Sequence, residues 1–250
     1  PVELPEGGIV TIDEDGTVTF DPNGDFEELG EGETTDVTVE YTVTDPSGAT
    51  DTETVTITVT GTNDAPVATV DEYVAGEDTP TDLGNVLTND TDPEDDVLTV
   101  SEVEGVPANV GEPVPATGGG LVTIEENGSI TFDPNGEFDD LAEGETTDVT
   151  VEYTITDPDG AEDTTTVTIT VTGGNDAPVA TLDDLDAGED DAPAVIGNVL
   201  TNDEDPDGDE LTVSEVAGEP ADVGEPVELP EGGIVTIDED GTVTFDPNGD

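Results

Sequence analysis

Lysine, arginine and histidine are absent from the 250 residues of this chain, whereas aspartate and glutamate together number 68 and give a formal net charge of −68. Nucleic-acid binding requires basic side chains against the phosphates, and docking on an anionic membrane surface requires the same cations. No apolar run reaches the roughly 18 residues that cross a bilayer. We therefore expect no nucleic-acid partner and no membrane insertion.

Cysteine, methionine and tryptophan are also absent. Without thiols or imidazoles the chain cannot form disulfides, Ser-His-Asp relays, cysteine nucleophiles or zinc sites built from His and Cys. Paired carboxylates could hydrolyse glycosides, but such sites need an aromatic-lined sugar cleft, and aromatic residues are 3% of the chain. The composition predicts that the protein is not an enzyme.

The order of the residues favours folded β-structure, although high net charge with few aromatics is typical of disorder. Residues 37–44, 54–60 and 149–156 alternate apolar and polar side chains and are rich in valine, isoleucine and threonine. This pattern is typical of half-buried strands. A disordered acidic ion sponge remains the alternative.

Internal repetition is the strongest signal in the sequence. The motif N-D-A-P-V-A begins at Asn63 and again at Asn175, which are 112 residues apart. The motif F-D-P-N-G recurs with spacings of 112 and 113 residues, starting at Phe20, Phe132 and Phe245. These spacings predict three domains: the C-terminal part of a repeat at 1–62, a complete repeat at 63–174 and the N-terminal part of a repeat at 175–250.

Alternate repeats are more alike than neighbours. Residues 226–250 are identical to residues 1–25, whereas the intermediate copy at 113–137 has diverged. We interpret this as a period of two domains in a longer polymer, of which the chain is a window.

Each repeat contains many short strands separated by turn signals and no helical periodicity, which predicts an all-β fold of tandem immunoglobulin-like or cadherin-like antiparallel β-sandwich domains. In the middle repeat, strands are expected at 67–70, 97–103, 121–124, 129–132, 149–156 and 164–171. The dipeptide Asn127-Gly128 predicts a type I′ hairpin, because both residues accept positive φ.

Several motifs resemble a known family. The runs G-T-N-D-A-P-V-A (61–68), L-T-N-D-T-D-P-E-D-D-V-L-T-V (87–100) and Y-T-I-T-D-P-D-G (153–160) resemble the VCBS and cadherin-like tandem repeats of giant bacterial extracellular (RTX-type) adhesins and surface fibres. The resemblance implies calcium at domain junctions, export from the cell and a position within a long extender.

Acidic loops provide a chemical reason to expect Ca²⁺, which takes six to eight oxygen ligands. In one loop, four aspartates stand at alternate positions and Gly208 precedes the last: Asp203, Asp205, Asp207 and Asp209. Ser214 stands where an EF-hand would have its bidentate glutamate, so the loop is not an EF-hand. The corresponding loop of the middle repeat lacks the glycine and carries five acids: Asp90, Asp92, Glu94, Asp95 and Asp96. Its candidate ligands are Asp90, Asp92 and Asp95. Solvated acids without a metal are the alternative.

The junctions between repeats provide a second candidate site. Asn63 and Asp64 precede Pro66, and Asn175 and Asp176 precede Pro178. A proline favours an extended conformation in the residue before it. By the same resemblance, four residues at the poles of the domains could complete a calcium cage: Glu77, Asp157, Asp159 and Glu189. Ordinary turn chemistry is the alternative for these residues.

The sequence thus predicts a non-catalytic extracellular protein at the cell surface, a calcium-rigidified spacer or fibre-forming segment, whose partners are copies of itself in tandem and laterally in a fibre. A ligand-binding adhesin module that recognises carbohydrate or protein is the alternative. An aromatic patch confined to one repeat would favour the adhesin.

Overall fold

The computed structural model describes residues 1–188 and 192–247, and all regular structure longer than four residues in this part of the chain is β-strand. The prediction of an all-β fold is confirmed. Five strands lie in residues 1–62: β1 (Val2–Glu3), β2 (Ile9–Ile12), β3 (Val18–Asp21), β4 (Thr34–Thr44) and β5 (Thr50–Thr60). Eight lie in residues 63–174: β6 (Asp71–Gly76), β7 (Thr81–Asn85), β8 (Thr99–Val103), β9 (Val114–Pro115), β10 (Leu121–Ile124), β11 (Ser129–Asp133), β12 (Thr146–Thr156) and β13 (Glu162–Thr172). Four lie in residues 175–247: β14 (Ala194–Asn198), β15 (Val227–Glu228), β16 (Ile234–Ile237) and β17 (Thr242–Asp246).

These elements form two compact units. Unit 1 comprises Pro1–Tyr73, Thr81–Asp133 and Asp148–Ile169, and unit 2 comprises Val74–Pro80, Pro134–Thr147 and the described part of Thr170–Asp250. Short 3₁₀ turns at Val86–Asn89, Pro107–Asn109 and Pro220–Asp222 interrupt the loops.

Two four-stranded sheets are built from residues 63–174, with the orders β7-β11-β10-β9 and β6-β13-β12-β8. The alternation of threonine with β-branched apolar residues explains why they fold in this way. In β13, Val167, Ile169 and Val171 are buried and the threonines between them are partly exposed. One face of the strand therefore enters a core while the other meets solvent.

The core of unit 1 is most developed within residues 81–169. Its largest buried side chains come from strands of both sheets: Ile124, Ile130, Phe132, Tyr153, Ile155 and Ile169. Residues 1–62 contain a smaller core of Leu4, Val10, Phe26 and Val37. There the sheets are β1-β2-β3 and the hairpin β4-β5.

In residues 175–247, the strands form one sheet of order β14-β17-β16-β15. Within its described part, Val216 and Val243 are the only buried apolar side chains larger than glycine. This segment therefore has much less core than residues 63–174.

The prediction of a type I′ turn at Asn127-Gly128 is wrong, although the hairpin of β10 and β11 is present. Of the two residues only Gly128 has positive φ, at +83°. The Gly128 N–H donates to the Glu125 carbonyl at 2.8 Å, and the Asn127 carboxamide oxygen accepts from Ser129 N–H at 3.0 Å. The asparagine side chain thus closes the loop, which leaves the left-handed position to glycine alone.

Strand positions were partly predictable. The strand expected at 67–70 is reduced to one isolated bridge between Val67 and Thr91, and β6 begins later, at Asp71. β6 and β7 were not predicted, because D-E-Y-V-A-G and T-D-L-G-N carry acidic residues and glycine. Pairing of β7 with β11 overrides this unfavourable local propensity.

Candidate metal centres

Five residues of unit 1 form what we call the Asn63 cluster: Asn63, Asp64, Asp92, Glu94 and Asp157. The Asn63 carboxamide N–H donates to Asp157 Oδ2 at 2.8 Å, and the Asp64 backbone N–H donates to Glu94 Oε1 at 2.9 Å. The extended stretch before Pro66 is therefore tied to two loops distant in sequence. The structure brings together Asn63, Asp64, Asp92 and Asp157, as the calcium hypothesis requires.

Three buried oxygens of this cluster receive no donor from the protein. They are Asn63 Oδ1, Asp92 Oδ2 and Glu94 Oε2. The other carboxylate oxygen of Asp92 accepts the backbone N–H groups of Glu94 and Asp96, at 3.0 and 3.2 Å. Backbone donors thus fix the carboxylate and leave its second oxygen free to bind a ligand.

Burial and like charge act together on these carboxyls. Burial raises the pKa of Glu94, and the charges of Asp64 and Asp92 raise it further. The pKa of Asp96 is raised for the same reasons, by burial and then by Asp92. Burial also opposes ionisation of Asp157, but the hydrogen bond from Asn63 and backbone N–H groups outweigh it and lower its pKa. The site therefore concentrates negative charge that a bound cation could neutralise.

Unit 2 contains a second constellation, the Glu77 cluster, formed by Glu77, Asp176 and Asp207. The Glu77 side chain is only 2% exposed, and its Oε1 accepts the backbone N–H of Gly174. The Asp176 N–H donates to Asp207 Oδ2 at 2.8 Å, which repeats the Asp64–Glu94 bond of the first cluster.

The Glu77 cluster also contains three buried oxygens without a protein donor: Glu77 Oε2, Asp176 Oδ2 and Asp207 Oδ1. Burial raises the pKa of Glu77, and the charge of Asp176 raises it further. The pKa of Asp176 is raised by burial and then by the charges of Asp207, Asp139 and Asp78.

The acidic loop of residues 203–209 supplies one side of this site. Carboxylate oxygens of Asp205, Asp207 and Asp209 all lie within 4.8 Å of one another. The Asp205 Oδ1 atom accepts the backbone N–H groups of Asp207 and Asp209, at 3.1 and 3.2 Å. The predicted clustering of these three aspartates is therefore present.

The two acidic loops have the same pattern of hydrogen bonds, so their residues correspond one to one. Asp95 has φ +60° and an exposed side chain, and it stands at the left-handed position that Gly208 occupies with φ +77°. Glu94 takes the place of Asp207, and Asp96 that of Asp209. The candidates should have included Glu94 and Asp96, and aligning the loops on D-x-D-P would have revealed both.

Asp90 and Asp203 each accept a backbone N–H at 2.7 Å, from Thr69 and from Thr181 respectively. Asp90 Oδ2 is a further buried oxygen without a protein donor. Asp159 is exposed, although its charge contributes to the raised pKa of Asp96.

Asn175 is exposed, with its carboxamide N–H bonded to the Asp176 carbonyl at 2.9 Å. Glu189, the remaining candidate, lies outside the described residues.

A third acidic group was not predicted. The Tyr153 hydroxyl donates to Asp71 Oδ2 at 2.6 Å and contacts the Val86 carbonyl oxygen at 3.3 Å. Burial raises the pKa values of Asp71 and Asp90, and burial with the charge of Asp71 raises the pKa of Tyr73 to about 12. Asp71 Oδ2 accepts a hydrogen bond from the protein, whereas the orphan oxygens of the two clusters do not.

The donor sets of the Asn63 and Glu77 clusters fit Ca²⁺. The orphan oxygens belong to carboxylates and, in the Asn63 cluster, to one carboxamide, and hard cations prefer such ligands. Leaving a buried acceptor unpaired costs about 1–3 kcal/mol. The chain has no Lys, Arg or His to supply a compensating charge. A bound cation would satisfy the orphan oxygens and neutralise their repulsion.

Comparison with known proteins agrees with this architecture. Residues 2–61, 63–173 and 175–250 match the bacterial cadherin-like domain family. The chain belongs to this family. Bacterial cadherin-like domains are extracellular, usually bind Ca²⁺, and typically serve as non-catalytic structural or adhesion repeats. No curated protein matches the sequence.

Solved cadherin structures share the fold of these bacterial cadherin-like domains. Mouse cadherin-23 EC22-24 aligns with a TM-score of 0.53 at 15% identity, over 98% of this chain and 74% of that chain. Mouse protocadherin-24 EC1-3 aligns at 0.47 and 17% identity, over 97% of this chain and 74% of that chain. Protocadherin gamma B2 domains 1-5 align at 0.48 and 15% identity, over 96% of this chain. The chain spans 43% of that last protein. No helix in the described residues is long and apolar enough to cross a membrane.

Proposed function

We propose that this protein is a calcium-rigidified spacer or fibre-forming segment of a giant bacterial surface protein of the VCBS or RTX-adhesin type. The observation that carries the proposal is the pair of clusters, each of which contains three buried oxygens without a protein donor. Bound Ca²⁺ would supply the positive charge that the composition lacks.

The position of the clusters explains how calcium would stiffen the chain. Each joins the N-D-A-P stretch at the start of one repeat to loops distant in sequence. In the Glu77 cluster, Glu77 belongs to the repeat at 63–174, whereas Asp176 and Asp207 belong to the segment at 175–250. A cation held by all three would couple the ends of consecutive domains.

We also propose that the domain boundaries lie at 1–62, 63–174 and 175–250. The three separate family matches support this division. The buried core of residues 81–169 and the smaller core of residues 1–62 are consistent with one complete and one partial repeat.

Small-angle X-ray scattering of the chain in calcium and in EDTA tests the function. In calcium the scattering should be that of one rigid particle, and after chelation that of a flexible chain, because the segments then move independently. The Glu143→Gln variant is the control, since Glu143 is an exposed acid outside both clusters. Scattering unchanged by chelation would contradict the spacer hypothesis.

A further inference from the structure

Two Asn-x-Ser/Thr tripeptides occur in the chain, and both lie in the middle repeat, at residues 89–91 (N-D-T) and 127–129 (N-G-S). In an extracellular protein this tripeptide is an acceptor sequence for N-linked sugar, which is attached to the carboxamide nitrogen of the asparagine. The tripeptide is short and occurs often by chance. The surroundings of the two carboxamides therefore decide which of them a glycosyl transferase could use.

Asn127 presents a free carboxamide nitrogen at the tip of the β10–β11 hairpin. Its side chain is exposed. The Asn127 Oδ1 atom accepts the N–H of Ser129 at 3.0 Å, and the Asn127 carbonyl oxygen accepts Nδ2–H of Asn85 at 2.7 Å. Within residues 1–188 and 192–247, Asn127 Nδ2 donates to no protein acceptor. The oxygens of Asn127 thus fix the turn, while the nitrogen that would carry a sugar remains available.

Asn89 is also exposed, but its carboxamide nitrogen is engaged. Its Nδ2 donates to the Val70 carbonyl oxygen at 3.2 Å, so a sugar would be attached where the side chain already lies against the main chain. The flanking residues differ as well. Glu125, an exposed acid two residues before Asn127, offers a transferase a charged contact, whereas Leu87 stands at this place before Asn89. Both differences favour Asn127 as the acceptor.

The neighbouring repeats show that this hairpin does not need a carboxamide nitrogen. Asp15 and Asp240 stand at the position of Asn127 in the other two copies. Their Oδ1 atoms close the turn in the same way, by accepting the N–H groups of Thr17 and Thr242 at 3.0 and 2.9 Å. The carboxamide nitrogen of Asn127 is therefore dispensable for the fold and free for chemistry.

We propose that Asn127 is an N-glycosylation site, to which a glycosyl transferase of the host attaches a sugar from a diphosphate-linked donor. Asn127 Nδ2 forms a bond to C1 of the sugar, and the bond between C1 and the diphosphate oxygen breaks, with its electron pair leaving on that oxygen. Nδ2 releases one proton, which the transferase or the diphosphate accepts. No atom is oxidised or reduced.

The sugar would distinguish the middle repeat from its neighbours, because Asp15 and Asp240 offer no amide nitrogen at this position. At the hairpin tip it would be attached without displacing any hydrogen bond of the turn. The inference requires export, which is typical of bacterial cadherin-like domains, but it does not rest on calcium binding.

Mass spectrometry of the protein isolated from its own host tests the site directly. After unfolding, glutamate-specific digestion releases residues 127–137 as one fragment, because Glu126 and Glu137 bound it. This fragment should be heavier than its sequence by the mass of a sugar chain attached at Asn127. The fragment that contains Asn89, residues 78–94, should have the mass of its sequence. Conversion of Asn127 to aspartate without sugar would be deamidation and would contradict the inference.

Matched substitutions test the tripeptide in the full chain, expressed together with a bacterial oligosaccharyl transferase and its lipid-linked donor. An acceptor peptide modified in the same cells shows that the transferase is active. The parent chain should gain one sugar chain by mass, and Asn127→Asp should lose it completely. The turn should stay intact in this variant, because Asp15 and Asp240 occupy the same position. Ser129→Ala should also lose the sugar, whereas Ser129→Thr, which keeps the hydroxyl, should retain it.

Two gain-of-site variants separate the effect of the hairpin from that of the tripeptide. Asp240→Asn creates N-G-T at the equivalent hairpin and should add a second sugar chain. Glu204→Thr creates N-D-T at Asn202 and should add none. The reason is that Asn202 Nδ2 donates to the Leu182 carbonyl oxygen at 3.2 Å, in the same way as Asn89 Nδ2 is engaged.

Three results would overturn the inference. They are the absence of sugar from Asn127 in the native protein, an unchanged sugar content in Asn127→Asp, and modification of Glu204→Thr as complete as that of Asp240→Asn. The outcome is independent of the calcium proposal. A sugar on Asn127 in a chain that does not bind calcium contradicts the spacer function alone, and calcium binding with an unmodified Asn127 contradicts this inference alone.

Discussion

Replacing Glu77 by glutamine should remove most of the calcium-dependent stability of the Glu77 cluster. The side chain is almost fully buried, and one of its oxygens has no protein donor. If losing the carboxylate weakens calcium binding about 100-fold, the stabilisation at saturating calcium falls by about 2.7 kcal/mol. For a chain of 250 residues that corresponds to a melting temperature lower by roughly 5–10 °C.

The same substitution should have the opposite effect in EDTA. Burial and the charges of Asp176 and Asp78 raise the pKa of Glu77, so its ionised form destabilises the metal-free fold. Glutamine removes this charge while keeping the shape and an oxygen for the Gly174 N–H. We therefore expect the metal-free variant to melt at or above the temperature of the unmodified protein.

Calorimetric melting in calcium and in EDTA measures both effects. Glu143→Gln removes the same charge from an exposed position and should leave the calcium-induced shift unchanged. The reasoning is refuted if Glu77→Gln retains the full shift, or if the variant is destabilised equally with and without calcium. Equal loss would show that Glu77 has a packing role only.

Three further predictions concern protons, a buried hydroxyl and a glycine. Glu77, Glu94 and Asp176 have folded pKa values raised above the ordinary 4.5 or 3.8. Such carboxyls stabilise the fold when the pH lies below the ordinary pKa, and this contribution is lost as the pH rises through the folded pKa. The metal-free protein should therefore have a higher melting temperature at about pH 5 than at about pH 7. Calcium should reverse this trend, because protons displace calcium from the carboxylates at the lower pH. The same trend with and without calcium would argue against the clusters as calcium sites. Tyr153→Phe should cost about 1–3 kcal/mol in urea unfolding because it removes the buried hydrogen bond from the Tyr153 hydroxyl to Asp71, whereas Tyr41→Phe, at the exposed equivalent position, should cost less than about 0.5 kcal/mol. Equal costs would contradict the role of the buried bond. Gly173→Ala should lower the melting temperature, because a Cβ at position 173 would lie 2.3 Å from a backbone carbonyl oxygen. Gly76→Ala should not, because the space around Gly76 is open. Similar melting temperatures of the two variants would contradict this packing.

The sequence predicted the architecture well because strand and turn signals repeat with a fixed spacing. The long strands β12 and β13 follow from alternating threonine and β-branched residues, which local pattern alone identifies. β6 could not be predicted in this way, since Asp71 and Glu72 look like solvent-facing acids. Only the fold shows that Asp71 is buried against the Tyr153 hydroxyl.

The candidate site was predicted in its location but not in every ligand. Asn63, Asp92 and Asp157 come together as expected for a junction. The sequence predicted Asp95 rather than Glu94, because the sequence alone does not show which acidic side chains of the loop face the cluster. The left-handed φ of Asp95 shows that this residue replaces a turn glycine, which leaves Glu94 to face the cluster.

A crystal structure of the chain grown in calcium, with anomalous data, tests the central claim most directly. We predict anomalous peaks about 2.3–2.6 Å from the orphan oxygens. In the first cluster these are on Asn63, Asp92 and Glu94, and in the second on Glu77, Asp176 and Asp207. Clusters without such peaks, with the same oxygens bonded only to water, would contradict the calcium-rigidified spacer.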